Sequence, residues 1–157
     1  MFIQMREFIR KSLIVLTVLL LSGSVFASNT EEVKQNIIKQ AKEMGVEPAI
    51  VLSIAKTESG FNQSARSACG YIGVFQLSHS TAKRMGLNPY KLEDNVKGGI
   101  TYYKNMYNKF GSVELAVAAY NSGPEAIRRN NNTIPKHSQR FVSRIMSDYK
   151  VYKAAGL

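Results

Sequence analysis

The run VELAVAAYN, over residues 113–121, is the stretch that most limits how this chain can fold. It is apolar on nearly every side, and a helix of that kind is stable only when other segments surround it. A Ser-Gly-Pro segment then breaks the helix, which leaves Tyr120 and Asn121 at its end. A buried phenol needs a hydrogen-bond partner. For Tyr120 the candidates are a main-chain carbonyl, Glu58 or a bound ligand, and the sequence alone does not distinguish them.

Apolar side chains recur at helical spacing through most of the remaining chain. No run of useful length has the two-residue period of a half-buried strand, and no repeat is found, so the predicted fold class is all-α. We expect Asp94 to cap the long helix and Ser112 to cap the buried one. The predicted helices span residues 31–44, 49–57 (with Pro48 in the first turn), 80–85, 95–110, 113–121, 125–129 and 138 to about 153.

A single carboxylate, Glu58, stands at the end of an apolar helical run. It follows Ile54 by four positions and so continues a face that should be buried, and burial raises the pKa of a carboxyl. Gly60 can then take the left-handed conformation that stops the helix. No other acid occurs between Glu58 and Glu93, and glycines punctuate residues 57–77, which indicates a site with one proton donor and close backbone approach to a ligand. The alternative is a surface glutamate near a helix end.

The first 27 residues have the pattern of a secretory signal peptide. Three basic residues precede a short apolar core, and a small-x-Ala sequence ends at Ala27. The core is too short for a comfortable transmembrane helix, although an uncleaved N-terminal anchor is the alternative. We therefore expect export to the periplasm or cell envelope, a single domain over residues 28–157 and no stable membrane insertion after cleavage.

Residues 28–157 contain 18 basic and 10 acidic residues, a net charge of +8. Such a charge favours an anionic partner, and export favours an envelope polymer over nucleic acid, so no nucleic-acid partner is expected. Cys69 is the single cysteine, which excludes an internal disulfide, and we expect it to be a small buried hydrophobe. His79 and His137 stand outside any Cys/His cluster. Neither a metal nor another cofactor is therefore expected.

Three short blocks resemble those of the soluble, goose-lysozyme-like family of lytic transglycosylases. ESGFN, starting at Glu58, is similar to that family's catalytic block. GYIGVFQL, starting at Gly70, resembles its glycine-rich GxxGLMQL block, and AYNSGP, starting at Ala119, resembles its AYNAGP block. The resemblance extends over residues 46–149. It implies a lysozyme-like helical fold that cleaves the β-1,4 bond between N-acetylmuramic acid and N-acetylglucosamine in peptidoglycan.

The resemblance also implies a role for each matching residue. Glu58 would be the single catalytic acid and base. Ser59 and Gln76 would line the cleft and help to hold the substrate or Glu58. Tyr120 would hydrogen-bond near Glu58 and the reacting sugar, and Asn121 would brace the helix end or touch the substrate.

The chain departs from the family pattern at several positions. Phe75 stands where the family usually has Met, which preserves an apolar cleft wall of altered shape, and Cys69 replaces a usual Ala. Residues 138–142 follow the family's late ETxxYV block only loosely, and Phe141 there lacks the usual phenol. We assign no catalytic role to that segment.

The absence of a second acid near these blocks bears on the reaction. Ordinary glycosidases use two carboxylates, whereas a lytic transglycosylase manages with one and forms a 1,6-anhydro sugar. Two alternatives stay open, a hydrolytic lysozyme on the same fold and a non-catalytic peptidoglycan-binding scaffold. Small exported proteins of this kind also resemble transglycosylases that open the wall for secretion or conjugation systems, which implies components of such an apparatus as partners.

Overall fold

The computed structural model describes residues 29–157. The predicted signal peptide over residues 1–27 and its cleavage site lie outside these residues. By its internal contacts the chain divides into two units, Met1–Val33 and Lys34–Leu157. The core, the cavity and the surfaces described below belong to the second unit.

Helices account for nearly all regular structure in residues 29–157, which confirms the predicted all-α class. They are α1 (residues 29–43), α2 (Pro48–Ser59), α3 (His79–Arg84), α4 (Leu92–Phe110), α5 (Val113–Ser122), α6 (Pro124–Arg129), a 3-10 turn (Lys136–Ser138) and α7 (Gln139–Ala154). The loop between α2 and α3 contains only isolated antiparallel bridges, Arg66 with Ile72 and Ile72 with Leu77. Of the helices in this part of the chain, none is both long and apolar enough to cross a membrane.

Helix α5 lies at the centre of the core, as its apolar sequence predicts. Every residue from Ala116 to Tyr120 is buried, and α4, α6 and α7 pack against this helix. Ser112 caps α5 as expected, because its hydroxyl accepts a hydrogen bond from the N–H of Leu115 at 3.4 Å. Helix α2 packs along α7, and its residues 49–55 are all buried. The core therefore fixes the ends of two buried helices, α2 and α5, where the candidate site lies.

The long helix α4 begins earlier than the sequence suggested, so the expectation that Asp94 caps it is wrong. The helix starts at Leu92, directly after Lys91. Asp94 lies inside the first turn, where its Oδ2 accepts a hydrogen bond from the main-chain N–H of Asn88 at 2.9 Å. A carboxylate in a first turn complements the helix dipole. Asp94 thus ties the preceding turn to the helix instead of defining where the helix starts.

Cys69 is exposed, which corrects the expectation of a buried hydrophobe. It lies in a tight turn that is closed by a hydrogen bond from the N–H of Gly70 to the oxygen of Ser67 at 3.0 Å. A turn this short encloses no apolar interior, so the thiol at its tip faces solvent.

Candidate active site

The last turn of α2 presents Glu58 at the edge of the core. Pro48 begins the helix at a position where its missing N–H has no intrahelical partner to lose. Gly60 ends it in the left-handed conformation, with φ of 62°, and donates its N–H to the oxygen of Lys56 at 3.0 Å. Phe61 follows with another positive φ, 68°. The chain therefore turns away sharply just after the carboxylate.

Glu58 is half-buried, and burial raises the pKa of its carboxyl from 4.5 to about 7. No charge or hydrogen bond from the described residues offsets this effect. The proton-bearing form of Glu58 therefore persists to near-neutral pH, as a general acid requires. This environment excludes the alternative of an ordinary surface glutamate.

The side chain of Glu58 lines a cavity of about 460 Å³. Its lining is mostly polar and aromatic: Glu58, Ser67, Tyr71, Gln76, Leu77, Ser78, Thr81, Tyr102, Tyr120, Asn121, Ser122 and Gly123. Glu58 is the only acid among these residues, all of which lie in the described part of the chain. Within residues 29–157, no three His, Cys, Asp or Glu side chains are grouped so that they could hold a metal ion.

The buried phenol of Tyr120 has a main-chain partner. Its hydroxyl donates a hydrogen bond to the carbonyl oxygen of Phe75 at 2.8 Å. Its ring meets that of Tyr102 edge-on, with centroids 5.2 Å apart and an interplanar angle of 70°. Burial and the nearby charge of Glu58 raise the pKa of Tyr120 well above its usual value, so the phenol stays neutral. The structure thus shows the main-chain carbonyl, one of the three candidates that the sequence left open, as a partner of Tyr120.

The loop over residues 70–77, here called the glycine-rich loop, is held in place by the buried side-chain amide of Asn95, near the start of α4. Its Oδ1 accepts a hydrogen bond from the N–H of Phe75 at 2.9 Å. Its Nδ2 donates to the oxygens of Ile72 and Pro89 at 2.8 and 2.9 Å. A Cβ at Gly73 would lie 2.4 Å from that Nδ2, so only glycine allows the loop to approach the amide this closely.

Two glycines in the middle of α4 let the loop pack against the helix. A Cβ at Gly99 would lie 2.1 Å from Cγ of the Phe75 ring, and one at Gly98 would lie 2.5 Å from Cδ1 of Leu77. Glycine normally weakens a helix interior by about 1 kcal/mol relative to alanine. At these positions the missing side chains make room for two apolar residues of the loop.

Ser59 and Gln63 fasten the other side of the loop. The hydroxyl of Ser59 donates to the oxygen of Val74 at 2.8 Å and accepts from the N–H of Asn62 at 3.1 Å. Oε1 of Gln63 accepts from the N–H of Val74 at 3.2 Å, while its Nε2 donates to the oxygen of Pro89 at 3.1 Å. Both main-chain polar groups of Val74 are therefore satisfied by side chains.

Gln76 and Asn121 line the cavity, and internal hydrogen bonds set their positions. Gln76 has a positive φ of 47°, and its Nε2 donates to the oxygen of Gly73 at 2.9 Å. Oδ1 of Asn121 accepts from the hydroxyl of Ser138 at 3.0 Å, which ties the end of α5 to the start of α7. Each amide thus has one anchored end, so its position at the cavity wall is fixed before a ligand arrives.

Residues 35–141 match the sequence profile of the family described as "Transglycosylase SLT domain". The chain belongs to this family. The SLT domain is 32% identical over 82 residues to a transglycosylase of Enterobacteria phage PRD1, in a match that covers 52% of this chain and 31% of the relative. It is 29% identical over 100 residues to membrane-bound lytic murein transglycosylase F of Desulfosudis oleivorans, covering 59% and 22%. The chain thus spans less than a third of the length of these curated relatives.

Two solved structures share the fold of this SLT domain. One is an inactive Glu-to-Gln mutant of lytic transglycosylase Slt from Pseudomonas aeruginosa, with a TM-score of 0.68, 23% identity and coverage of 77% of this chain and 24% of the other. The other is the 70 kDa soluble lytic transglycosylase from Escherichia coli, with a TM-score of 0.64, 23% identity and coverage of 76% and 24%. These likenesses confirm the expected lysozyme-like helical fold.

Four of the five predicted site residues of the SLT domain meet at the cavity, namely Glu58, Gln76, Tyr120 and Asn121. Ser59 is not part of the lining; its hydroxyl braces the loop beneath Glu58 instead. The expectation that Phe75 forms the cleft wall is also corrected, because its side chain is fully buried against α4. What Phe75 contributes to the site is its carbonyl oxygen, through Tyr120.

Sequence reasoning missed several residues of the SLT domain site. The sequence predicts Asn95 only as the first residue of a helix, although the Gly-Gly pair inside the same helix indicates a position where another segment packs. Tyr102, on α4, is also absent from the predicted site residues. Its neighbour Tyr103 is buried, as core packing predicts, whereas Tyr102 faces the cavity. Tyr71, Leu77, Ser122 and Gly123 belong to the blocks that resemble the family but are not predicted as site residues, whereas Ser67, Ser78 and Thr81 carry no sequence signal for the site.

Proposed function

We propose that this SLT domain is a peptidoglycan lytic transglycosylase. It would cleave the β-1,4 bond from N-acetylmuramic acid to N-acetylglucosamine and leave a 1,6-anhydro-N-acetylmuramic acid end. The observation that carries this proposal is the single carboxyl of Glu58, raised to a pKa of about 7 in a cavity with no second acid. A glycosidase that activates water normally needs two carboxyl groups.

In the first step the neutral carboxyl of Glu58 donates its proton to the bridging glycosidic oxygen. The bond from that oxygen to C1 of the muramic sugar breaks, and the N-acetylglucosamine side leaves as an alcohol. Positive charge develops at C1, and the 2-acetamido group of the same sugar assists, as in substrate-assisted glycosidases. Glu58 is left as a carboxylate in a poorly hydrated site, where it is a stronger base than in water.

In the second step the carboxylate of Glu58 takes the proton from the 6-hydroxyl of the muramic sugar. The 6-oxygen attacks C1 and closes the anhydro ring, which restores the neutral acid. Because the attacking group belongs to the bound sugar, the reaction is intramolecular, and effective molarities of such reactions reach about 10⁵ M or more. Water at roughly 55 M competes poorly with a group so placed.

The comparisons support the same reaction class. Both curated relatives are named transglycosylases, one of them acting on murein. The solved structure from Pseudomonas aeruginosa is that of an inactive mutant in which a glutamate is replaced by glutamine, so that protein depends on a carboxyl group. Glu58 is the residue of this chain that we assign to the equivalent role.

The test is mass spectrometry of the muropeptides released from purified sacculi. We expect anhydro ends, which are lighter than hydrolysed ends by one water and resist borohydride reduction. Reducible muramic ends would instead indicate the hydrolytic lysozyme, with a second base still to be found. Binding to sacculi without release of any muropeptide would indicate the non-catalytic scaffold.

We also propose that the protein acts outside the cytoplasm, after removal of residues 1–27, and that it opens the wall for an envelope-spanning secretion or conjugation apparatus. The signal-like pattern ending at Ala27 supports export, and the basic charge of residues 28–157 supports an anionic envelope polymer as partner. The role in an apparatus rests on the resemblance to small exported transglycosylases. The intact mass of the exported protein should place Ser28 at its N-terminus. Cross-linking in cells should recover components of such an apparatus, and recovery of peptidoglycan alone would argue against that partner.

A further inference from the structure

A second groove, of about 510 Å³, lies between α2 and α7. Every residue of its lining is charged or carries a hydroxyl group: Lys56, Arg140, Ser143, Arg144, Ser147 and Asp148. We call these six residues the basic groove. Lys56 precedes Glu58 by two positions, so the two side chains leave α2 about 160° apart and point to different sides of the helix. The basic groove is therefore separate from the cavity that contains Glu58.

The contribution of α7 to the basic groove is a stripe along one helix face. Positions 140, 143, 144 and 147 repeat at steps of three and four residues, and the stripe is about 10 Å long. On the α2 side, Nζ of Lys56 forms an ion pair with Oδ1 of Asp148 at 2.7 Å. That hydrogen bond raises the pKa of Lys56, while the positive charge of Arg144 opposes the effect, so these two cations lie close together.

Arg140 and Arg144 are both exposed, and neither guanidinium makes a hydrogen bond or ion pair with residues 29–157. Two like charges four residues apart destabilise a helix by a few tenths of a kcal/mol. The one acid of the groove, Asp148, is already paired with Lys56. The described part of the protein therefore provides no counter-charge for these two arginines. Two unpaired positive charges in one groove are suited to binding an external anion.

The residues of the basic groove are close in sequence to residues of the cavity. Helix α2 contributes Glu58 to one and Lys56 to the other. Ser138, two residues before Arg140, donates its hydroxyl to Asn121 at the cavity wall. A peptide of about four residues attached to a sugar in the cavity extends up to about 14 Å. Such a peptide is long enough to leave the cavity and pass along neighbouring surface.

We propose that the basic groove binds the carboxylates of the stem peptides on the peptidoglycan strand whose sugars occupy the cavity. This deepens the proposed function and rests on it for the identity of the polymer. The planar guanidinium group matches a carboxylate with two parallel hydrogen bonds, and the hydroxyls of Ser143 and Ser147 add further donors. A phosphate polymer would also be attracted, but the peptide is tethered to the glycan and so reaches a high local concentration whenever the cavity is filled.

The test measures binding with the Glu58→Gln protein, so that strands are not cleaved during the experiment. The variant Arg140→Gln/Arg144→Gln is compared with Lys42→Gln/Lys97→Gln, which removes the same charge from exposed positions outside both the groove and the cavity. The ligands are soluble glycan strands with intact peptides, freed of phosphate polymers, and the same strands after their carboxylates are converted to amides. We expect the groove variant to lower the preference for unmodified over amidated strands by about five- to tenfold, and added salt to lower it as well.

Three results would overturn the proposal. An equal loss of preference in the control variant would mean that only overall charge matters. A loss of binding that is the same for amidated strands would assign the groove to the sugar or to folding. A groove effect that appears only when phosphate polymers are left on the strands would assign it to phosphate. If wild-type protein releases no anhydro ends, the proposed reaction fails, while these binding ratios still decide the role of the groove.

Discussion

The phenol oxygen of Tyr120 lies 2.8 Å from the main-chain oxygen of Phe75, 45 positions earlier in the chain. This hydrogen bond joins the end of the buried helix α5 to the glycine-rich loop at the cavity wall. Glu58 lies near the same phenol, since its charge helps to raise the pKa of Tyr120. One side chain thus connects the core, the loop and the proposed acid.

Replacement of Tyr120 by phenylalanine should lower both stability and turnover. The carbonyl of Phe75 would lose its buried donor, which costs about 1–3 kcal/mol in the free energy of unfolding. Turnover should fall by up to about a hundredfold through displacement of the loop, less than for loss of the acid. Urea unfolding and muropeptide release would measure the two effects. Tyr107→Phe, an exposed tyrosine outside the cavity, is the control. Unchanged stability would show that the hydrogen bond contributes nothing.

Replacement of Glu58 by glutamine should abolish bond cleavage and leave the fold intact. The amide keeps the shape of the side chain but cannot donate a proton. Release of soluble muropeptides from sacculi measures cleavage, and circular dichroism reports the fold. Glu43→Gln removes a carboxyl from an exposed position on α1 and should cleave at the wild-type rate. Clearing of sacculi by Glu58→Gln at that same rate would mean that another residue is the acid.

The same variant should be more stable than wild type at alkaline pH. The pKa of Glu58 is about 7 when folded and about 4.5 when unfolded, so the folded state binds the proton more tightly between these values. Wild-type stability should therefore fall as pH rises from 4.5 to 7 and then level off. Glutamine does not ionise, so Glu58→Gln should gain about 1–3 kcal/mol relative to wild type by pH 8 and nothing near pH 4. A difference independent of pH would contradict the raised pKa.

Replacement of Asn95 by alanine should damage the loop and the site together. Three hydrogen bonds to main-chain atoms disappear. The buried N–H of Phe75 loses its partner, whereas the oxygen of Ile72 keeps the N–H of Leu77. We expect a loss of about 2–5 kcal/mol in the free energy of unfolding. Asn105→Ala, on the exposed side of the same helix, should change stability by less than about 0.5 kcal/mol. Equal effects from the two variants, measured by urea unfolding, would show that Asn95 has no special role.

Replacement of Gly99 by alanine should destabilise the protein although alanine is the better helix former. The new methyl group would lie 2.1 Å from the ring of Phe75, so the loop would have to move. Overpacking of this kind costs about 1–3 kcal/mol, which exceeds the gain in helix propensity of about 1 kcal/mol. Thermal unfolding against Asn105→Ala would measure the difference. A stabilised Gly99→Ala protein would mean that the loop adapts without cost.

Local features of the structure were accessible from sequence because short stretches determine them. Gly60 ends α2 and Ser112 caps α5 through contacts with residues a few positions away, and the apolar run of α5 predicts its burial. The raised pKa of Glu58 followed from its place on a buried face. These predictions need only helix geometry and the preference of apolar groups for the interior.

The remaining features depend on residues far apart in the chain. Tyr120 meets Phe75 across 45 positions and Asn95 meets Ile72 across 23, and no helical or strand period relates such pairs. The exposure of Cys69 likewise depends on how its turn projects from the core, which composition does not reveal. Ser59 has the residue type of a ligand-binding group, yet the nearest acceptor in the fold is the oxygen of Val74.

The exposed thiol of Cys69 gives the protein a built-in attachment point for a spectroscopic reporter. It is the single cysteine in the chain, and it lies two residues from Ser67 and two from Tyr71, both of which line the cavity. A maleimide dye would therefore label one position, at the rim of the cavity, without any substitution. On the Glu58→Gln background, its fluorescence would follow the arrival and departure of glycan strands in real time, separately from their cleavage.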